Sequence, residues 1–153
     1  MAAYQYRECG LDNVKIDGVV PCRDDDGDDV VTIPNITGLH KAIATAVVHH
    51  KSGISGKELR FLRTEMGMTQ PELAKVVHHE TQSVGRWERG ECPIDPNAEA
   101  LIRLLAVERL KLNVGTDSVE ELSGWCVATA APQPILIDGN DPSNYRPVEL
   151  MAA

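Results

Sequence analysis

The chain is poor in aromatic side chains: its 153 residues include one Phe, two Trp and three Tyr. Aliphatic side chains must therefore fill most of any interior. No apolar run approaches the length of a membrane span, and no signal-type segment opens the chain. The expectation is a soluble cytoplasmic protein with no membrane contact. The four cysteines, Cys9, Cys22, Cys92 and Cys126, contain no C-x-x-C pair. That spacing argues against a zinc ribbon, and a reducing compartment argues against disulfides, which leaves four free thiols. No nucleophile–base pair, phosphate loop or metal-ligand cluster can be picked out. No catalytic residue, cofactor or metal is therefore expected, and an enzyme ranks last among the readings.

Positive charge is also scarce, with 15 Lys and Arg against 23 Asp and Glu, for a net charge of −8. Its distribution decides what that means. Residues 1–50 hold 4 basic and 8 acidic side chains, residues 51–111 hold 10 and 9, and residues 112–153 hold 1 and 6. Two thirds of the base lies in the middle segment. Such a segment can bind nucleic acid if its cations share a face, while acidic flanks suppress non-specific capture.

That middle segment has the clearest pattern. Thr69 can cap a short helix, with Pro71 where a missing N–H costs nothing. Leu73, Ala74 and Val77 follow at helical spacing. A second short helix carries Val84 and Trp87 inward and puts Thr81, Gln82, Ser83 and Arg86 on its other face. Gly90 stops it, and Pro93 follows. Two helices this short need a third to cover their apolar stripes, and Leu59, Leu62 and Met66 supply it.

This arrangement resembles the Cro/repressor-type (Xre-like) helix-turn-helix family. The matching residues are Arg63, Thr69-Gln70, Glu72-Leu73-Ala74, Val84 and Arg86-Trp87-Glu88-Arg89-Gly90. The resemblance spans about residues 55–111. It implies binding to double-stranded DNA, with the second short helix in the major groove and two copies reading two half-sites. In that geometry Gln82 can pair with adenine through its amide, and Arg86, one turn on, can reach guanine O6 and N7. Thr81 and Ser83 suit base or phosphate. The resemblance aims Gln70 at a phosphate, behind Thr69 at a helix N-terminus that favours anions. Lys57, Arg60, Lys75 and Arg89 are further phosphate candidates. The resemblance also pairs Glu88 with Arg63, which makes Glu88 structural. His78 and His79 adjoin in the turn and cannot readily ligate one ion from a shared face, so they read as a solvated turn. His78 stands where the family usually has glycine.

The flanks are less patterned. Tyr4–Cys9, Val14–Ile16 and Val30–Ile33 alternate or are β-branched and read as short strands. The run Asp24-Asp25-Asp26-Gly27-Asp28-Asp29 lacks the glutamate and flanking helices of a calcium loop, so it reads as a solvated acidic turn. Ile36, Leu39, Ile43 and Val47 make one helical stripe, and residues 97–111 a long helix with more apolar surface than one small bundle needs. That surplus face can form a dimer. Beyond Leu112 the chain is acidic and broken by Gly and Pro, with a turn of helix at 118–122 and a strand or clip at 134–138. Trp125 suits an anchor, to its own domain or to a partner. The N-terminal unit resembles the arm of MqsA-like antitoxins, which hold zinc there with paired cysteines; this chain offers only Cys9 and Cys22.

The expected architecture is mainly α with a small N-terminal β unit: strands plus helix in residues 1–53, a repressor-type helix-turn-helix bundle of four to five helices in 54–112, and an irregular, acidic, Pro/Gly-rich extension in 113–153. The expected function is a sequence-specific, dimeric DNA-binding repressor reading the major groove with helix 80–89. The alternative is an antitoxin that binds a toxin protein and represses its own operon.

Overall fold

The computed structural model describes residues 3–19, 22–23, 25–27, 29–112, 119–126 and 134–148. Among these, the chain runs β1 (Tyr4–Gln5), β2 (Val14–Asp17), β3 (Cys22–Arg23), β4 (Asp29–Val30), α1 (Ile36–Val48), α2 (Gly56–Glu65), α3 (Gln70–Val77), α4 (Thr81–Glu88), α5 (Pro96–Arg109), α6 (Val119–Trp125), β5 (Ile135–Asp138) and β6 (Arg146–Pro147). The protein is mainly α with a small strand unit at its N-terminal end.

The strands form two sheets. β3 and β4 pair antiparallel, with Arg23 opposite Asp29 of the acidic run, and residues 25–27 form a turn between them; Asp24 and Asp28 lie outside the described residues. β4 stops at Val30, short of the expected Ile33. Pro34 lies just beyond, and a proline cannot donate to a ladder. The larger sheet has the order β1-β2-β5-β6. β5 lies parallel to β2, with Val14 opposite Ile135 and Ile16 opposite Ile137. The described part of the C-terminal extension thus supplies half of this sheet. Parallel strands need a crossover, and here the crossover carries helices α1 to α6.

Strand alternation divides the sheet into two faces. Val14, Ile16, Ile135 and Ile137 are buried, at 0%, 0%, 3% and 0% exposure. Lys15, Asp17 and Leu136 face outward. α1 covers the buried face. Asn35 caps it by accepting from the Gly38 N–H at 3.2 Å, and Leu39, Ile43 and Val47 are fully buried along one stripe. Ile36, expected on that stripe, is 44% exposed because the helix begins there and the packed face starts a turn later.

The break at 52–56 is bolted down. Fully buried Arg103 of α5 donates through Nη1 to the Val48 and His50 carbonyls (3.2 and 2.6 Å) and through Nη2 to Ser52 O and to Glu99 (2.9 Å). Glu58, also fully buried, meets His50 Nε2 at 2.6 Å and accepts from the Ser55 N–H at 2.8 Å. Most buried polar groups are partnered in this way; among the described residues, Ser52 Oγ and Arg103 Nε are buried without a partner. Earlier on α1, His40 links Tyr6 Oη (2.8 Å, Nε2) to Glu65 (2.7 Å, Nδ1). A neutral ring with its hydrogen on Nδ1 satisfies both contacts.

Candidate nucleic-acid interface

Two short helices and a three-residue turn form the centre of the interface. Thr69 caps α3 by accepting from the Glu72 N–H at 3.3 Å, and Glu72 returns a carboxylate to the Thr69 N–H at 3.2 Å. This is the reciprocal capping box. It also occupies the Thr69 amide, which the sequence left open for an anion. The hydrogen bonds from Thr69 hold the Glu72 carboxyl below its usual range. At the other end His78 takes a left-handed conformation, φ 58 and ψ 41, while the His79 N–H reaches back to Ala74 O at 3.0 Å. A helix ends this way on glycine more readily than on histidine. His79 packs edge-on against Trp87, ring centroids 4.8 Å apart, with Nε2 3.5 Å from Asp95. His78 is exposed.

α4 buries Val84 and Trp87, at 0% and 4% exposure, and turns Thr81, Gln82 and Arg86 to solvent. No side chain caps its N-terminus, and the Ser83 N–H turns back to Glu80 O at 3.0 Å. α4 is held against α2 by Arg63, which donates from Nε and Nη2 to both oxygens of Glu88 at 2.6 and 3.0 Å. Arg63 Nη1 also donates to Met68 O at 2.9 Å, fixing the turn before α3. Gln70 joins this cluster, donating from Nε2 to Glu88 at 3.1 Å. The close fit depends on Gly56: a Cβ there would lie 2.3 Å from the Trp87 carbonyl oxygen.

The structure brings five of the sequence-derived candidates to one open cleft of about 380 Å³: Gln70, Thr81, Gln82, Arg86 and Arg89. Arg60 lines an adjoining hollow with Arg63, Gln70 and Arg89. Thr69 is exposed but spent on its capping box, Ser83 is half-buried, and Lys75 stands exposed on α3, all three outside the lining of that cleft. Lys57 is drawn to the N-terminal unit, with Nζ 3.1 Å from Asp12. Sequence reasoning missed Glu91, whose carboxylate takes Arg89 Nε and Nη2 at 3.1 and 3.2 Å. The i, i+2 spacing across a helix stop gives no periodic signal, so only the cap geometry finds it.

The helix-turn-helix family matches residues 59–107, which span α3, the turn and α4 together with most of α2 and α5. That family is a DNA-binding one rather than an enzymatic one, and the match supports a DNA-binding regulator. The comparisons match the chain to no curated protein and to no solved structure. They give no relation to MqsA-like antitoxins. No described helix is long and apolar enough to cross a membrane.

Proposed function

We propose that this protein is a cytoplasmic, sequence-specific regulator that binds double-stranded DNA as a homodimer and represses transcription. α4 lies in the major groove. Gln82 and Arg86 meet base edges, Thr81 and Ser83 meet bases or phosphate, and Gln70, Lys75 and Arg89 engage the backbone, with Thr69 positioning that end of α3 through its capping box. One observation carries this reading: the cleft that gathers Gln70, Thr81, Gln82, Arg86 and Arg89 on the outer side of the matched helix pair. Residues 54–112 form the reading unit on this view. Dimerisation is drawn from α5, where Leu101 and Leu104 are each 40% exposed on one face. Two half-sites one helical turn apart call for such a pairing.

The test is DNA binding across a salt series, using DNA from the protein's own upstream region and a random-sequence pool. Wild type is compared with Gln82→Ala/Arg86→Ala. Each lost base contact should cost about 1–3 kcal/mol and relax the sequence preference. Sequence-independent binding by both proteins would sink the reading head.

The antitoxin reading has a narrower basis than the sequence offered. Ile135 and Ile137, in the segment expected as a strand or clip, are in the core, so Leu136, 37% exposed, is the one apolar side chain left open on that strand.

A further inference from the structure

The contact between Arg89 and Glu91 is laid out in unusual detail. Arg89 is the C-cap of α4. Gly90 then turns left-handed at φ 73, and the Glu91 N–H is tied to Arg86 O at 3.0 Å. The helix stop therefore fixes the Glu91 backbone beside the last turn, and its carboxylate folds back onto Arg89. This pair does little for stability. Both side chains are more than half exposed, at 59% and 53%, and exposed ion pairs contribute little. An acid just past a helix C-terminus also has the wrong sign for the helix dipole.

The geometry suits a different role. A guanidinium offers two bidentate edges. Glu91 takes the side edge, Nε with Nη2, and leaves the end edge of Nη1 and the second Nη2 hydrogen open. Nη1 lies over Gly85, 3.1 Å from where a Cβ at that position would sit. Gly85 and Arg89 line the same cleft as Gln82 and Arg86. The open edge is thus directed along the reading face.

We infer that Glu91 is a positioning residue that locks the Arg89 fork over Gly85, turning Arg89 from a loose phosphate contact into a fixed contact with sequence-discriminating power. This inference rests on the DNA-binding reading above. Glu91 also carries a negative charge towards a polyanion, so it lowers affinity for any duplex while raising the preference for the right one. The first effect is common to all duplexes and cancels in the ratio of specific to non-specific binding, so only the second moves that ratio.

The experiment compares two duplexes of equal length, one selected from a random pool by the wild-type protein and one of random sequence. Glu91→Gln keeps the shape and removes the charge. The expected result is unchanged or tighter binding to the random duplex and a fall of roughly three- to tenfold in the specificity ratio, part of what a bidentate arginine supplies. The thermal midpoint should stay where it is. Arg89→Ala should show the same loss of ratio, and adding Glu91→Gln to it should change the ratio no further. Arg89→Lys, which keeps the charge without the fork, should retain the salt dependence yet lose the ratio. Equal tightening on both duplexes would make Glu91 a mere competing charge and overturn the inference, as would an unchanged ratio. A wild-type protein that selects no duplex at all would overturn the DNA reading itself, an outcome separable from the other two because they need a selecting wild type.

Discussion

Arg63 and Glu88, 25 residues apart, meet through two hydrogen bonds of 2.6 and 3.0 Å, and Gln70 adds a third to the same carboxylate. Arg63 is 15% and Glu88 5% exposed, so water compensates neither well. Removing one partner strands the other. Arg63→Ala should destabilise the fold by about 2–4 kcal/mol, between the limits for exposed and buried pairs. Urea unfolding measures this. In a double-mutant cycle with Glu88→Gln the two losses should be far from additive. Additive losses would show that the pair is not coupled.

The turn between α3 and α4 carries a correctable strain. His78 holds φ 58 without being glycine, and its side chain is exposed. Left-handed backbone costs an L-residue about 1 kcal/mol relative to glycine. His78→Gly should raise the urea midpoint by the equivalent of roughly 0.5–1 kcal/mol, reduced somewhat by the greater freedom glycine gives the unfolded chain. A loss of stability would mean that His78 makes a contact worth more than the strain.

What was legible in the sequence follows from how local the information is. Thr69, Pro71, Leu73, Val77 and Trp87 write the helix pair within a few turns of themselves, and the expected elements lie where α2 to α5 lie. Ile135 and Ile137 looked like a strand, but nothing local says that their partner is β2, more than a hundred residues earlier. Glu58, Glu99 and Arg103 read as ordinary polar positions of helices. Their burial depends on an interface that three separate segments build together, and Glu99 and Arg103, spaced i, i+4 on the same side as Ile102 and Ala106, were the faint hint.

The buried acids of Cys126 and Tyr6 set an alkaline limit. Burial, then the neighbouring Glu99, pushes the Cys126 thiol up to about 12 from 9.0. Burial likewise raises the Tyr6 hydroxyl to about 12 from 10.0. As the pH rises past 9 the unfolded chain releases these protons first, while the folded chain still holds them. Stability is therefore complete below about pH 9 and declines from there towards 12. The urea midpoint should fall between pH 8.5 and 11 by more than it changes between pH 7 and 8.5, values bracketing roughly the onset. Iodoacetamide at pH near 8 should label exposed Cys92 well before Cys126; equal labelling would contradict the burial.

Ile137 tests whether the sheet and the reading head are one cooperative unit. Its side chain is fully buried on β5, opposite Ile16 of β2. α1 lies between that sheet and the helices, and three polar ties fix it to them: His40 to Glu65, His50 to Glu58, and Arg103 to the Val48 and His50 carbonyls. Damage on the sheet side should therefore reach Trp87, in the core of the helix pair. Ile137→Ala should cost about 2–5 kcal/mol. In a Trp125→Phe background, where Trp87 alone reports, its fluorescence transition in urea should shift by that full amount and coincide with the transition seen by circular dichroism. If Trp87 instead unfolded at its original midpoint while the circular dichroism transition split, the sheet would be an appendage that the helices do not need, and the ties through α1 would be contacts without energetic consequence.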